Sequence, residues 1–243
     1  MRTSNPALND STFDTYALAG EEKMTIQGTV NKSFILIALV FSTALLSWDF
    51  MSNLEGGIIY VVAAAIIALI LGLATSFKPT WSPYTAPAYA LFEGVFLGAI
   101  SGFMDKMYPG IAIQAVLLTC GTFLCLLLAY RSGLIKATEN FKLGIVAATG
   151  AIFLIYMVTF VLGFFGISVP YIHGNGIFSI IFSLVVVVVA ALNLVLDFDF
   201  IEKGEANGAP KYMEWYASFG LLVTLVWLYI EILKLLAKLS SRK

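Results

Sequence analysis

Residues 176–198 read GIFSIIFSLVVVVVAALNLVLDF, and this stretch decides the fold. It carries one charge, Asp197, and exceeds the roughly 20 apolar residues that a helix needs to cross a bilayer. In water the valines Val185–Val189 favour a strand. In hydrocarbon every backbone N–H and C=O must bond within its own segment, so the stretch is a helix. Working outward, six more runs meet the same criterion: Ser33–Phe50, Gly57–Phe77, Ala86–Met104, Gly110–Tyr130, Leu143–Phe165 and Ala217–Leu239. The short links between them hold the turn formers, among them Asn53, Gly56, Pro79, Pro83, Pro109, Gly133, Pro170, Gly174, Gly208 and Pro210.

Composition agrees. Of 243 residues 60% are hydrophobic and 12% charged, against about half and a quarter in soluble domains. That leaves too few polar residues to cover a soluble surface. A net charge of −1 without a basic run argues against nucleic acid as a partner. The expectation is an all-α integral membrane protein with seven transmembrane helices and the lipid bilayer as its first partner. Residues 1–32 form a polar N-terminal tail, 33–240 the membrane domain and 241–243 a C-terminal tail. The first 32 residues lack the apolar core and cleavage site of a secretory signal, so the tail is expected to be retained. Cys120 and Cys125 sit about 140° apart on a helix, too far round to bridge, and are expected as buried small hydrophobes.

The basic residues set the orientation. Arg2, Lys23 and Lys32 precede the first run, and Lys78 lies between the second and third. Arg131, Lys136 and Lys142 separate the fourth from the fifth, and Lys203 and Lys211 the sixth from the seventh. The opposite links hold Lys106 with Asp49, Glu55 and Asp105. The positive-inside rule then predicts a cytoplasmic N-terminus, although an odd helix count leaves Lys238, Arg242 and Lys243 outside. In the third run Gly94, Gly98 and Gly102 recur every four residues, a stripe that lets another helix approach closely.

Acids inside apolar runs are the chemistry-bearing residues. Each costs roughly 2.5–3.5 kcal/mol at a helix centre on the insertion scale, so it should face protein or water. They are Glu93 in the third run, Asp197 and Asp199 at the end of the sixth, and Glu231 within the seventh. Asn193 shares a face with Asp197 four residues on, whereas Asp199 falls on the opposite face. Glu231 has Lys234 at i+3 as a pairing partner, and Glu93 has no basic neighbour at helical spacing. At roughly 1.5 Å per residue, Asp197 and Glu231 differ by about 10 Å in depth, giving a staggered column of acids. Asp197, Glu231 and Glu93 are the candidates for an ion pathway or proton sensor; Asp199, Asn193 and Glu214 are secondary. Asp197 and Glu231 are the candidate calcium ligands.

The stretches Leu196-Asp197-Phe198-Asp199 and Leu228-Tyr229-Ile230-Glu231 resemble motifs of the transmembrane Bax inhibitor motif family. Members show an Asp followed two residues on by a polar side chain in the sixth helix, and a Leu-Tyr-Leu-Asp-like stretch in the last. The segments Arg2-Thr3-Ser4-Asn5-Pro6-Ala7-Leu8 and Met24-Thr25-Ile26-Gln27-Gly28-Thr29-Val30 look like its bacterial Bax inhibitor/YccA-like branch. The resemblance implies six helices around a central seventh, in a bacterial inner (plasma) membrane. It also implies a pH-sensitive calcium leak in which two acids, here Asp197 and Glu231, share a proton and gate the pore.

A cation leak, with calcium and protons as its ligands, is therefore the leading expectation; hard cations take oxygen ligands. The alternative is a membrane-embedded regulator that binds a membrane protease or other membrane complex through the tail Thr3–Asn31. An enzyme is not expected, since no nucleophile-and-base pattern occurs and the single histidine, His173, falls in an outer loop. Beyond calcium no cofactor is expected.

Overall fold

A computed structural model describes residues 22–49, 57–166, 174 and 176–241. Seven α-helices are found among them: α1 (Ile26–Ser47), α2 (Gly57–Phe77), α3 (Ser82–Met107), α4 (Ile111–Arg131), α5 (Glu139–Phe164), α6 (Ile177–Ala206) and α7 (Met213–Ser240). Each is long and apolar enough to cross a membrane. More of α7 is buried than of any other helix, in keeping with its expected central place. His173, the motif Arg2–Leu8, Glu55, Pro170, Arg242 and Lys243 lie outside the described residues.

The helices overrun the apolar runs at several ends. α6 has 30 residues, about 45 Å of helix against a hydrocarbon layer of about 30 Å, so its last turns stand in the headgroup zone. α1 begins at Ile26 rather than Ser33, so the last part of the expected tail is helix. Thr25, in extended conformation, accepts a hydrogen bond from Gly28 N at 3.0 Å and caps the first turn. Thr138 caps α5 in the same way through Phe141 N. α6 ends in a Schellman turn: Gly208 takes φ +65°, Ala209 N donates to Gly204 O and Gly208 N to Glu205 O, both at 3.0 Å. α7 starts at Met213, four residues ahead of its apolar run.

Two compact units make up the described chain, and α6 and α7 contribute to both. The first holds Ile113–Phe198 and the chain from Thr224 on. Its apolar centre is Ile152 on α5 with Val186 and Val189 on α6, flanked by Ala148, Tyr156, Phe182 and Trp227. The rings of Phe123 and Tyr130 on α4 meet Phe198 at 5.6 and 5.8 Å. Cys120 and Cys125 are exposed, which corrects the expectation of burial. In a membrane an outward face is as apolar as a core, so hydrophobic sequence alone does not separate the two.

The second unit holds the described residues up to Ala112 with Asp199–Val223. Here α1 and α2 both pack on α3. The glycine stripe does what its spacing predicts. A Cβ added at Gly94 would strike Thr43 Oγ1 and the backbone of Val40; at Gly98, Ala44 O and Ser47 Oγ; at Gly102, Trp48 O. α1 therefore lies backbone to backbone on α3. The link between α6 and α7 is tied to the start of α1: Met24 N donates to Ala209 O at 2.7 Å, Lys211 N to Glu22 O at 2.9 Å, and Lys23 pairs with Pro210. Met24, Phe200, Met213 and Tyr216 pack around that junction.

Candidate functional site

The first unit contains two polar sites. The inner one is built on α6, where Asn193 and Asp197 are one turn apart. Asp197 is 5% exposed and takes a hydrogen bond from the side chain of Thr224 on α7. Its other oxygen, Oδ2, is buried and has no hydrogen-bond partner among the described residues. A buried acceptor without a donor is rare, because desolvation is then uncompensated. Asn193 Nδ2 donates to Thr149 Oγ1 on α5 at 2.9 Å and to Val189 O at 2.8 Å. The expected face shared by Asn193 and Asp197 is thus present, and α5 and α7 each supply a hydroxyl to it.

The outer site is built around Glu231, whose side chain is 2% exposed. Tyr156 OH on α5 donates to Oε2 at 3.1 Å, and Lys234 Nζ lies 3.0 Å from Oε1. The same ammonium stands 5.3 Å from the centre of the Tyr156 ring. One turn further on, Lys238 Nζ donates to Ser183 Oγ at 2.7 Å and Ser179 O at 3.3 Å on α6. The i+3 pairing read from the sequence is present, and Glu231 stays buried with it.

An apolar layer separates the two. Along α5 the order is Thr149, Ile152, Tyr156; along α6 it is Asn193, Val189 and Val186, then Phe182; along α7 it is Thr224, Trp227, Glu231. Thr224 and Glu231 are seven residues apart, about 10 Å along the axis. Asp197 and Glu231 therefore occupy separate sites, with the offset that helix depth gives. Among the described residues no three His, Cys, Asp or Glu side chains converge to hold a metal ion.

The remaining candidates belong to the second unit. Glu93 is 9% exposed and is hydrogen-bonded by the hydroxyl of Tyr89, one turn earlier on α3. Tyr89 in turn stands edge-on to Phe219, centroids 5.1 Å apart. Asp199 pairs with Lys203 at 3.0 Å, as an acid near a helix C-terminus with a base at i+4 does. Glu214 is enclosed completely. Its carboxylate accepts from Thr25 N and Thr25 Oγ1 at 3.0 Å each and pairs with Lys32 and, at 3.3 Å, with Lys211. A Cβ at Gly28 would strike that carboxylate, and Ser218 Oγ donates to Thr29 O at 2.8 Å. Within the motif Met24–Val30, Thr25 and Gly28 lie against the Glu214 carboxylate, and Thr29 is bonded to Ser218.

Tyr156, Thr149 and Thr224 are the site residues that charge counting passes over, because hydroxyls are unremarkable in a membrane helix. The signal that finds them is spacing: Thr149 and Tyr156, like Thr224 and Glu231, are seven apart and share a helix face.

Comparison with curated proteins and with solved structures gives no match. A family model described as Bax inhibitor 1 like matches residues 5–241, nearly the whole chain. The chain belongs to the Bax inhibitor 1 like family.

Proposed function

We propose that the chain is a pH-sensitive cation leak, with calcium as its permeant ion and protonation of Asp197 and Glu231 as its gate. The observation that carries this reading is the layered order on α5, α6 and α7: a carboxylate site, an apolar layer, and a second carboxylate site. A hydrophobic constriction between polar sites closes a path by excluding water, and charged groups beside it attract ions. When Asp197 is protonated it is neutral and the apolar layer stays dry. When it is deprotonated, Oδ2 has no donor to satisfy it, and a cation or water must supply the missing partner. Flux then rises with pH. Single carboxylates suit an ion in transit, whereas resident calcium takes six to eight oxygens. Glu93, held by Tyr89 in the second unit, is a further candidate proton sensor. The reading includes a bacterial inner-membrane location, the Bax inhibitor/YccA-like branch and a cytoplasmic N-terminus, which the basic links favour.

Calcium flux into proteoliposomes across a pH series tests it. Native protein should conduct less as pH falls, and Asp197→Asn and Glu231→Gln should each remove part of that dependence. An unchanged profile in both Asp197→Asn and Glu231→Gln refutes the gate.

A further inference from the structure

Glu231 is enclosed, yet the ammonium that neutralises it is half exposed: the two side chains are 2% and 48% exposed, one turn apart on the same helix. The carboxylate is divided between its neighbours. Oε2 is held by the Tyr156 hydroxyl, a fixed donor on α5, and Oε1 faces Lys234 Nζ at 3.0 Å. Lys238, a turn beyond, acts on Glu231 through its charge and is itself bonded to Ser183 and Ser179 on α6. One oxygen is thus fixed by a neutral donor, and the other is covered by a cation that the chain itself provides.

We propose that Lys234 is a tethered competitor for the permeant cation: its ammonium occupies the place on Glu231 Oε1 that a divalent cation takes in passage. Three features fit that role. A lysine ammonium is a compact point charge on a flexible four-carbon stem, so it can leave and return without moving the helix. The Lys234 side chain is 48% exposed, so the ammonium has an outward position to move to while the carboxylate stays enclosed. The Tyr156 ring, 5.3 Å from Nζ, offers a cation a second resting place beside the carboxylate. A ligand set for a cation that remains bound would have no reason to hold a cation of its own; a site that must release its ion does. Lys234 then sets the cation concentration at which the outer site fills. The assignment rests on the leak reading above, and binding is measured separately from flux so that the two can fail independently.

The full-length chain, purified in detergent at fixed pH, is titrated with calcium chloride and its thermal stability recorded. Lys234→Met should lower the calcium concentration for half-maximal stabilisation about tenfold. Lys234→Arg should not lower that concentration, since the charge is kept and a guanidinium holds a carboxylate at least as tightly. The double variant Lys234→Met with Glu231→Gln should show no gain, because the competitor matters only where the carboxylate is present. Lys234→Gln gives the same readout if the methionine variant expresses poorly. In proteoliposomes the half-saturating calcium concentration should move in the same direction. Equal half-maximal concentrations in native and Lys234→Met overturn the assignment, as does a shift that survives Glu231→Gln or the absence of calcium stabilisation in all variants. A binding shift without any native flux leaves Lys234 as the competitor and removes the leak instead.

Discussion

Replacing Lys32 by Met leaves the Glu214 carboxylate, fully buried, without its most enclosed counter-ion. The two side chains are 0% and 16% exposed, so the carboxylate is buried and its counter-ion mostly covered. Removing one partner of a buried ion pair costs about 3–5 kcal/mol, because the other charge remains desolvated. Glu214 keeps Thr25 N and Oγ1 and the Lys211 ammonium at 3.3 Å, which places the loss at the lower end, about 3 kcal/mol. Lys211 is 45% exposed, and Lys211→Met should cost about 0–1 kcal/mol. For chains of this size each kcal/mol moves Tm by about 2–4 °C, giving a fall of about 6–12 °C for Lys32→Met. Thermal unfolding in detergent, followed by tryptophan fluorescence, measures it; Trp215 sits 5.6 Å from Lys32 Nζ and reports on the same place. Lys32→Met combined with Glu214→Gln should recover most of the loss, because both charges are then gone. A Tm for Lys32→Met within 2 °C of native, or a double variant no better than the single, would refute the cage as an energetic unit.

Two other outcomes follow from the packing. Gly98→Ala should destabilise by about 1–3 kcal/mol, and Gly98→Leu should abolish folded protein, because even a Cβ there strikes Ala44 O and Ser47 Oγ; a native Tm for the alanine variant would show that α1 does not lie on α3 as described. Because Asp197 and Glu231 occupy separate sites about 10 Å apart along α7, their neutralisations should act nearly additively on the pH dependence of calcium flux. A double variant no worse than the more damaged single one would show instead that the two share a proton.

The seven helices and the buried acids were legible in the sequence because the bilayer leaves the backbone so little choice. A long apolar run in lipid is a helix whatever its neighbours, and an acid within it must face away from hydrocarbon. The pairing of Lys234 with Glu231 one turn earlier was legible for the same local reason, as was the glycine stripe as a close contact with another helix. The ends of α1, α6 and α7 were not, since caps and headgroup-zone turns depend on polar partners rather than on apolar length. Which helix lies beside which was not legible either. Hydrocarbon is as apolar as a side chain, so exposed Cys120 and a buried valine carry the same local signal, and only packing separates them. Packing alone brought Tyr156 to Glu231 and Thr224 to Asp197. The Glu214 cage is the extreme case: Lys32 and Glu214 are 182 residues apart, and no local pattern encodes a partner at that distance. The sequence by itself determined what each segment is, and the tertiary structure decided which charges meet.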